Sequence, residues 1–308
     1  AIQFASFNQV TVDLWVQQSN YAEALETAEA DKNSLMTWLL AGWQHPDNTL
    51  TPHYEQMRQL LTPGTAIVYW HLSADALTTF VLSFQKPEVV VVGQEGEEGE
   101  RQNRERLRQV EELEAWVKTW NQDYQNYREQ LKEKTVDPEL SDHSWQRNLS
   151  SRLDHLRQIL RLDRVEPHLA EIDHLILVPD RELHCFPLHA LFHLTNQPTI
   201  SYLPSLQVGL NLRHAPSLPS PPDRSLLCIE NPKHTGLAPL PHAVVEAEFI
   251  RNRFHHTTSR RGKEATLDSL KAILQQSHHV LHFNGHASYD FDRPKQTSLA
   301  LANDEVLT

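Results

Sequence analysis

From His174 onward, short apolar runs alternate with segments of helical length, and that alternation limits the fold more than any other feature of the chain. Residues 174–178 (HLILV), 199–203, 225–229, 279–283 and 298–302 read as strands, and 205–213, 242–254 and 266–276 as helices. Strands separated by helices imply a mostly parallel sheet with crossover helices on its faces, an α/β class.

Upstream the pattern differs. Residues 21–40 contain no Gly or Pro and place Tyr21, Leu25, Ala28, Leu35 and Leu39 at helical spacing. The segment's Tyr-Ala-Glu-Ala-Leu start resembles the second half of a tetratricopeptide helix pair, although a single copy is not a repeat. Pro63-Gly64 then introduces three β-branched and aromatic runs, 66–71, 77–84 and 88–92, which read as a small antiparallel meander. A long helix follows the Glu/Gly-rich turn at 93–99, and Val110, Leu113, Val117, Trp120, Tyr124, Tyr127 and Leu131 give it an apolar seam. The simplest partner is the helix expected over 146–162, whose Leu149, Leu153, Leu156 and Leu160 form a matching stripe. The expected organisation is therefore helical over 1–62, a meander over 63–94, a helical hairpin over 95–170 and an α/β domain over 171–308.

Bulk properties exclude several function classes. A formal net charge of -12 argues against nucleic acid as a partner, because phosphate contacts need clustered Lys and Arg. Two cysteines in 308 residues cannot form a disulfide framework and suit a reducing compartment. No apolar run approaches the ~18 residues of a membrane span, and the first ten residues lack the features of a secretory signal. The expectation is a cytoplasmic protein with no membrane partner. The absent initiator methionine points to a chain that starts inside a longer protein.

The segment with the most chemistry is His278-His279-Val280-Leu281-His282-Phe283-Asn284-Gly285-His286-Ala287. An apolar strand running into Gly285 delivers the imidazole of His286 to the carboxyl edge of a sheet, where ligands of open α/β folds sit. Gly285 allows a sharp turn there, and an unperturbed imidazole titrates near 6.5, which suits proton transfer at neutral pH. His282 and His286 have the His-x-x-x-His spacing of a zinc pair, but that spacing aligns two ligands only on a helix, so no metal is expected. His278, His279 and His282 read as structural. Cys185, beside His184 and near His189, reads as an interior residue between Leu183 and Phe186, and Cys228 as part of a buried strand. Asp290 and Asp292 follow on a loop where a carboxylate would favour a basic substrate side chain, or simply be solvated.

Five segments in order carry a family resemblance. Residues 177–191 (LVPDRELHCFPLHAL) resemble the "VPDG-L-(x)-LPF-AL" entry of the CHAT domain, the caspase-like domain that accompanies tetratricopeptide repeats. Tyr202-Leu203-Pro204-Ser205 is similar to its "Y-x-PS" strand end, and residues 238–247 (APLPHAVVEA) to "LP-A-xx-EA". Residues 262–266 (GKEAT) are similar to "G-xx-AT", and 282–287 (HFNGHA) to "HFAGHG". The resemblance spans 171–308, with the cyanobacterial HetF-like members the most similar, and the 63–92 meander resembles what precedes the domain.

The resemblance implies a caspase-haemoglobinase-like fold and a cysteine endopeptidase with a His-Cys dyad, needing no cofactor. His286 matches the catalytic histidine, Gly285 its turn, and Ala287 the backbone oxyanion donor, where the family often has glycine. The family's nucleophile lies at the end of the next core strand in a Ser-Ala-Cys-like segment, and nothing like it occurs up to Thr308. The expected partners are a protein substrate and a C-terminal segment of the same protein carrying the cysteine, either a fragment that self-cleavage releases and that stays associated, the favoured case, or residues continuous with this chain. Residues 303–308 would then prepare for a further element, with Thr308 as a helix N-cap. The competing class is an inactive caspase-like module that regulates a partner.

Overall fold

The computed structural model describes residues 2–40, 51–93, 100–132, 144–213, 218–238, 240–288 and 296–308. They fall into two compact units, Ala1–His214 and Ala215–Thr308.

In the first unit, α1 (Ile2–Gln17) and α2 (Tyr21–Leu40) form a helix pair, the connection turning through a left-handed Ser19 at φ 58°. The meander strands β1 (Thr65–Leu72), β2 (Leu77–Ser83) and β3 (Val90–Val91) pair antiparallel, as expected. The long helix α3 (Glu100–Lys132) and α4 (Leu149–Ile159) come next, then β4 (His174–Val178), β5 (Thr199–Tyr202) and α5 (Leu206–Arg213). All five strands share one sheet in the order β3-β2-β1-β4-β5, because β1 pairs with β4 and β4 with β5 in parallel. The sheet thus continues across the domain boundary expected at residue 171. An apolar strand buried on both faces accepts a partner on either side, and every residue of β1 is buried.

Alternation along β1 assigns the two faces. Ala66, Val68 and Trp70 pack with Val110, Leu113 and Trp116 of α3 and with Leu156 and Ile159 of α4. Ile67 and Tyr69 pack with Val12 and Val16 of α1, Leu25 of α2 and Leu206 of α5. The first part of the α3 seam, Val110 to Trp120, is therefore covered within the chain by the helix the leucine stripe suggested, and Trp116, Trp120, Trp145 and Phe186 pack beside it as an aromatic cluster, while Tyr124 stays exposed. Cys185 differs from its reading as an interior residue. The 3-10 turn Arg181–Cys185 repeats about every three residues, so Leu183 and Phe186 share the buried side while Cys185 is exposed.

The second unit contains β6 (Ser225–Glu230), α6 (Ala243–Arg251), β7 (His256–Arg261), α7 (Leu267–Leu274) and β8 (Val280–Asn284). The strands form an all-parallel sheet in the order β7-β6-β8. Leu226 and Cys228 face Ala247, Ile250 and Phe254 on the α6 side, while Ile229 faces Ala265, Leu267 and Leu270 on the α7 side. Thr266 caps α7 by accepting from the Ser269 N–H. A second, antiparallel sheet joins β9 (Ala287–Ser288), β10 (Ser298–Ala300) and β11 (Val306–Leu307). Left-handed Asn303 and Asp304, at φ 60° and 62°, reverse the chain so that β11 pairs back onto β10. Asn and Asp tolerate that conformation better than branched residues.

Candidate active site

Four consecutive residues, beginning with the last of β8, build the site. Asn284, the last residue of β8, is buried, and its side-chain amide donates to Glu246 Oε2 at 2.8 Å and to the Ala243 carbonyl at 3.4 Å. The strand end is thereby fastened to the first turn of α6. Gly285 follows without a positive φ. Glycine is needed for space: a Cβ at this position would lie 2.6 Å from the Phe283 ring and 3.0 Å from Pro232 Cδ.

His286 is half-buried, and its Nε2 lies 2.8 Å from the Ala238 carbonyl oxygen. A carbonyl only accepts, so Nε2 carries the hydrogen and Nδ1 of the neutral ring holds a lone pair. Among the described residues Nδ1 has no hydrogen-bond partner. The backbone orients a second group. The His286 carbonyl accepts from the Ala300 N–H at 2.8 Å. A trans peptide sets C=O and N–H on opposite sides, so the Ala287 N–H points away from β10. The register agrees, since Ala287 opposes Leu299. His286 thus offers a proton-accepting nitrogen, and the peptide that follows it a backbone donor outside the β9–β10 ladder, group types that acyl transfer requires from a base and an oxyanion site.

Other singled-out residues lie elsewhere. His282 points to the α6 side of β8, with Nε2 3.7 Å from Glu246 Oε1, and has different partners from His286. His279 Nδ1 is 2.9 Å from both the backbone nitrogen and Oγ of Ser225, joining the amino ends of β6 and β8. Asp290 and Asp292 lie outside the described residues. Cys228 is buried beside His282 in the parallel register, but burial, followed by the negative charge of Glu230, pushes its thiol up to about 11. Partial desolvation of its sulfur, followed by the charge of Glu182, also raises the thiol of the otherwise exposed Cys185. Both thiols therefore remain protonated at neutral pH and are poor nucleophiles.

Ala238, the partner of His286, leaves no signal in the sequence, because every residue type carries the same backbone carbonyl. The only hint is the proline-flanked segment 238–241 (APLP) just before α6.

A model of the CHAT domain family matches residues 140–308, more than half of the chain. This protein belongs to the CHAT domain family. The family is one of caspase-like peptidases, and the match reaches upstream of residue 171 to take in α4 as well as β4 and β5. No curated protein matches the chain. No helix among the described residues is long and apolar enough to cross a membrane.

Proposed function

We propose that the complete protein is a cytoplasmic cysteine endopeptidase of regulatory type, with His286 as general acid and base and the Ala287 N–H as an oxyanion donor. The observation that carries this reading is the 2.8 Å approach of His286 Nε2 to the Ala238 carbonyl, which favours the Nε2–H tautomer of the neutral ring and, among the described residues, leaves Nδ1 without a partner just beyond the end of a parallel strand. A cysteine from a segment outside this sequence supplies the nucleophile, since Cys185 and Cys228 are poorly ionised. Nδ1 takes the thiol proton, and the thiolate forms a C–S bond to the substrate carbonyl carbon. As the C–N bond breaks, His286 returns the proton to the departing amine, and water then hydrolyses the thioester. Asp290 and Asp292 favour a basic side chain in the substrate, and the cysteine-bearing segment is an associated fragment released by self-cleavage.

The test is labelling of the full-length protein by a thiol-directed peptidyl probe, beside a His286→Ala variant. Labelling is expected in the first and a loss of at least ~100-fold in the second, the usual scale for a lost general base. Equal labelling removes His286 from the mechanism. No labelling in either favours a caspase-like module that regulates a partner.

A further inference from the structure

We propose that Asn231 is a positioning residue for His286, holding its imidazole in the Nε2–H tautomer by tying the end of β8 to the loop that carries Ala238. Two bonds from this one residue make the tie. Its N–H donates to the Asn284 carbonyl at 2.6 Å, immediately before Gly285 and His286. Its side-chain Oδ1 accepts from the Leu240 N–H at 3.3 Å, two positions beyond Ala238. The brace thus joins both partners of the His286–Ala238 bond, the histidine turn on one side and the accepting carbonyl on the other.

Residue type matters as well as place. Asn231 sits at φ 42°, a left-handed conformation that favours Gly or Asn. Of these two, only asparagine also brings an acceptor. Several further contacts hold the same loop from outside: Lys233 N–H donates to the Gly262 carbonyl at 3.0 Å, Thr235 N–H donates to Asp304 Oδ1 at 2.8 Å and its hydroxyl to Asp304 Oδ2, and His234 Nδ1 lies 3.2 Å from Asp304 Oδ1. None of these reaches the strand end that carries His286. Loss of the Asn231 side chain therefore frees the Ala238 carbonyl relative to the ring while leaving the loop attached.

The decisive variant is Asn231→Gly, which keeps the left-handed backbone and removes Oδ1, with Asn231→Asp retaining an acceptor at the same place. Long-range 15N–1H spectra of the histidine rings read the tautomer directly in this 308-residue chain. The parent chain and Asn231→Asp are expected to show His286 protonated on Nε2 alone, whereas Asn231→Gly shows exchange between tautomers with the His279 and His174 signals unmoved. A single Nε2–H tautomer in Asn231→Gly overturns the proposal. Its catalytic consequence rests on the peptidase reading: in the full-length enzyme kcat falls on the order of 10-fold to 100-fold with little change in KM, as for a misaligned reacting group. A tautomer change in a protein without peptidase activity supports the positioning role and refutes the peptidase reading alone.

Discussion

At Gly285 the backbone is ordinary and the surroundings are not. The ring of Phe283 and Cδ of Pro232 close on the face where a side chain would begin. Phe283 packs against the cluster of Ile229, Ala265 and Leu270, so it has little room to retreat. Gly285→Ala is therefore expected to cost roughly 1–3 kcal/mol, the usual range for overpacking, and to displace His286 from Ala238. Urea denaturation measures the first effect and the imidazole 15N shifts the second. A variant as stable as the parent, with an unchanged His286 signal, shows that the pocket accommodates a methyl group. Ala287 carries less at its side chain, which is exposed, than at its N–H, whose direction is fixed by the neighbouring peptide.

Among elements, α2 is docked by charge as well as by apolar contact. Lys32 is buried, and its ammonium donates to the Pro179 carbonyl at 2.7 Å and to Asp180 Oδ1 at 2.8 Å, while lying 4.8 Å from the Tyr69 ring centroid. Asp180 Oδ2 accepts from the Leu72 N–H at 2.8 Å, so one carboxylate joins α2 to the carboxyl ends of β1 and β4. Burial pushes the Asp180 carboxyl up, but Lys32 and His71, with the bonds from Lys32 and Leu72, outweigh it and hold the group below the ordinary value. Removing one partner of a buried pair leaves the other charge uncompensated, and Lys32→Met is expected to cost roughly 3–5 kcal/mol. Adding Asp180→Asn should recover part of that loss, since the stranded charge goes with it. Thermal or chemical denaturation of the two variants checks both statements. Strict additivity of the two changes argues that the pair is not coupled.

Over the whole molecule, the same cluster makes stability depend on pH. Burial lowers His71 to about 4, against an ordinary value of 6.5, and Lys32 and Arg181 add to that effect while Asp180 opposes it. Between those two values the unfolded chain binds a proton that the fold rejects, so stability falls as pH drops below 6.5 and stops falling near 4. From about pH 7 to about pH 5 the loss is on the order of 2 kcal/mol, at ~1.4 kcal/mol per unit. Glu29 acts oppositely: burial raises its carboxyl, so the fold takes up that proton first, and acidification below the folded value offsets part of the loss. Urea midpoints of the parent and of His71→Gln at the two pH values separate the contributions, because the variant should lose less on acidification. An identical decline in both excludes His71 as the source.

The sequence by itself determined the elements whose residues repeat with a clear period. The strand–helix alternation after His174, the antiparallel meander and the long helix with its seam all follow from apolar spacing, and the structure contains each of them. The His286 turn was legible too, because glycine and histidine after an apolar strand are a local signal. β7 was not, since His256–Arg261 is polar and lies at a sheet edge, where no apolar alternation is required. Only the tertiary structure decided that β1 and β4 are neighbours across more than a hundred residues, a pairing set by which buried faces find covering helices. It likewise decided the tautomer of His286, because the partner is a carbonyl 48 positions away, and a backbone group has the same chemistry whatever its residue type.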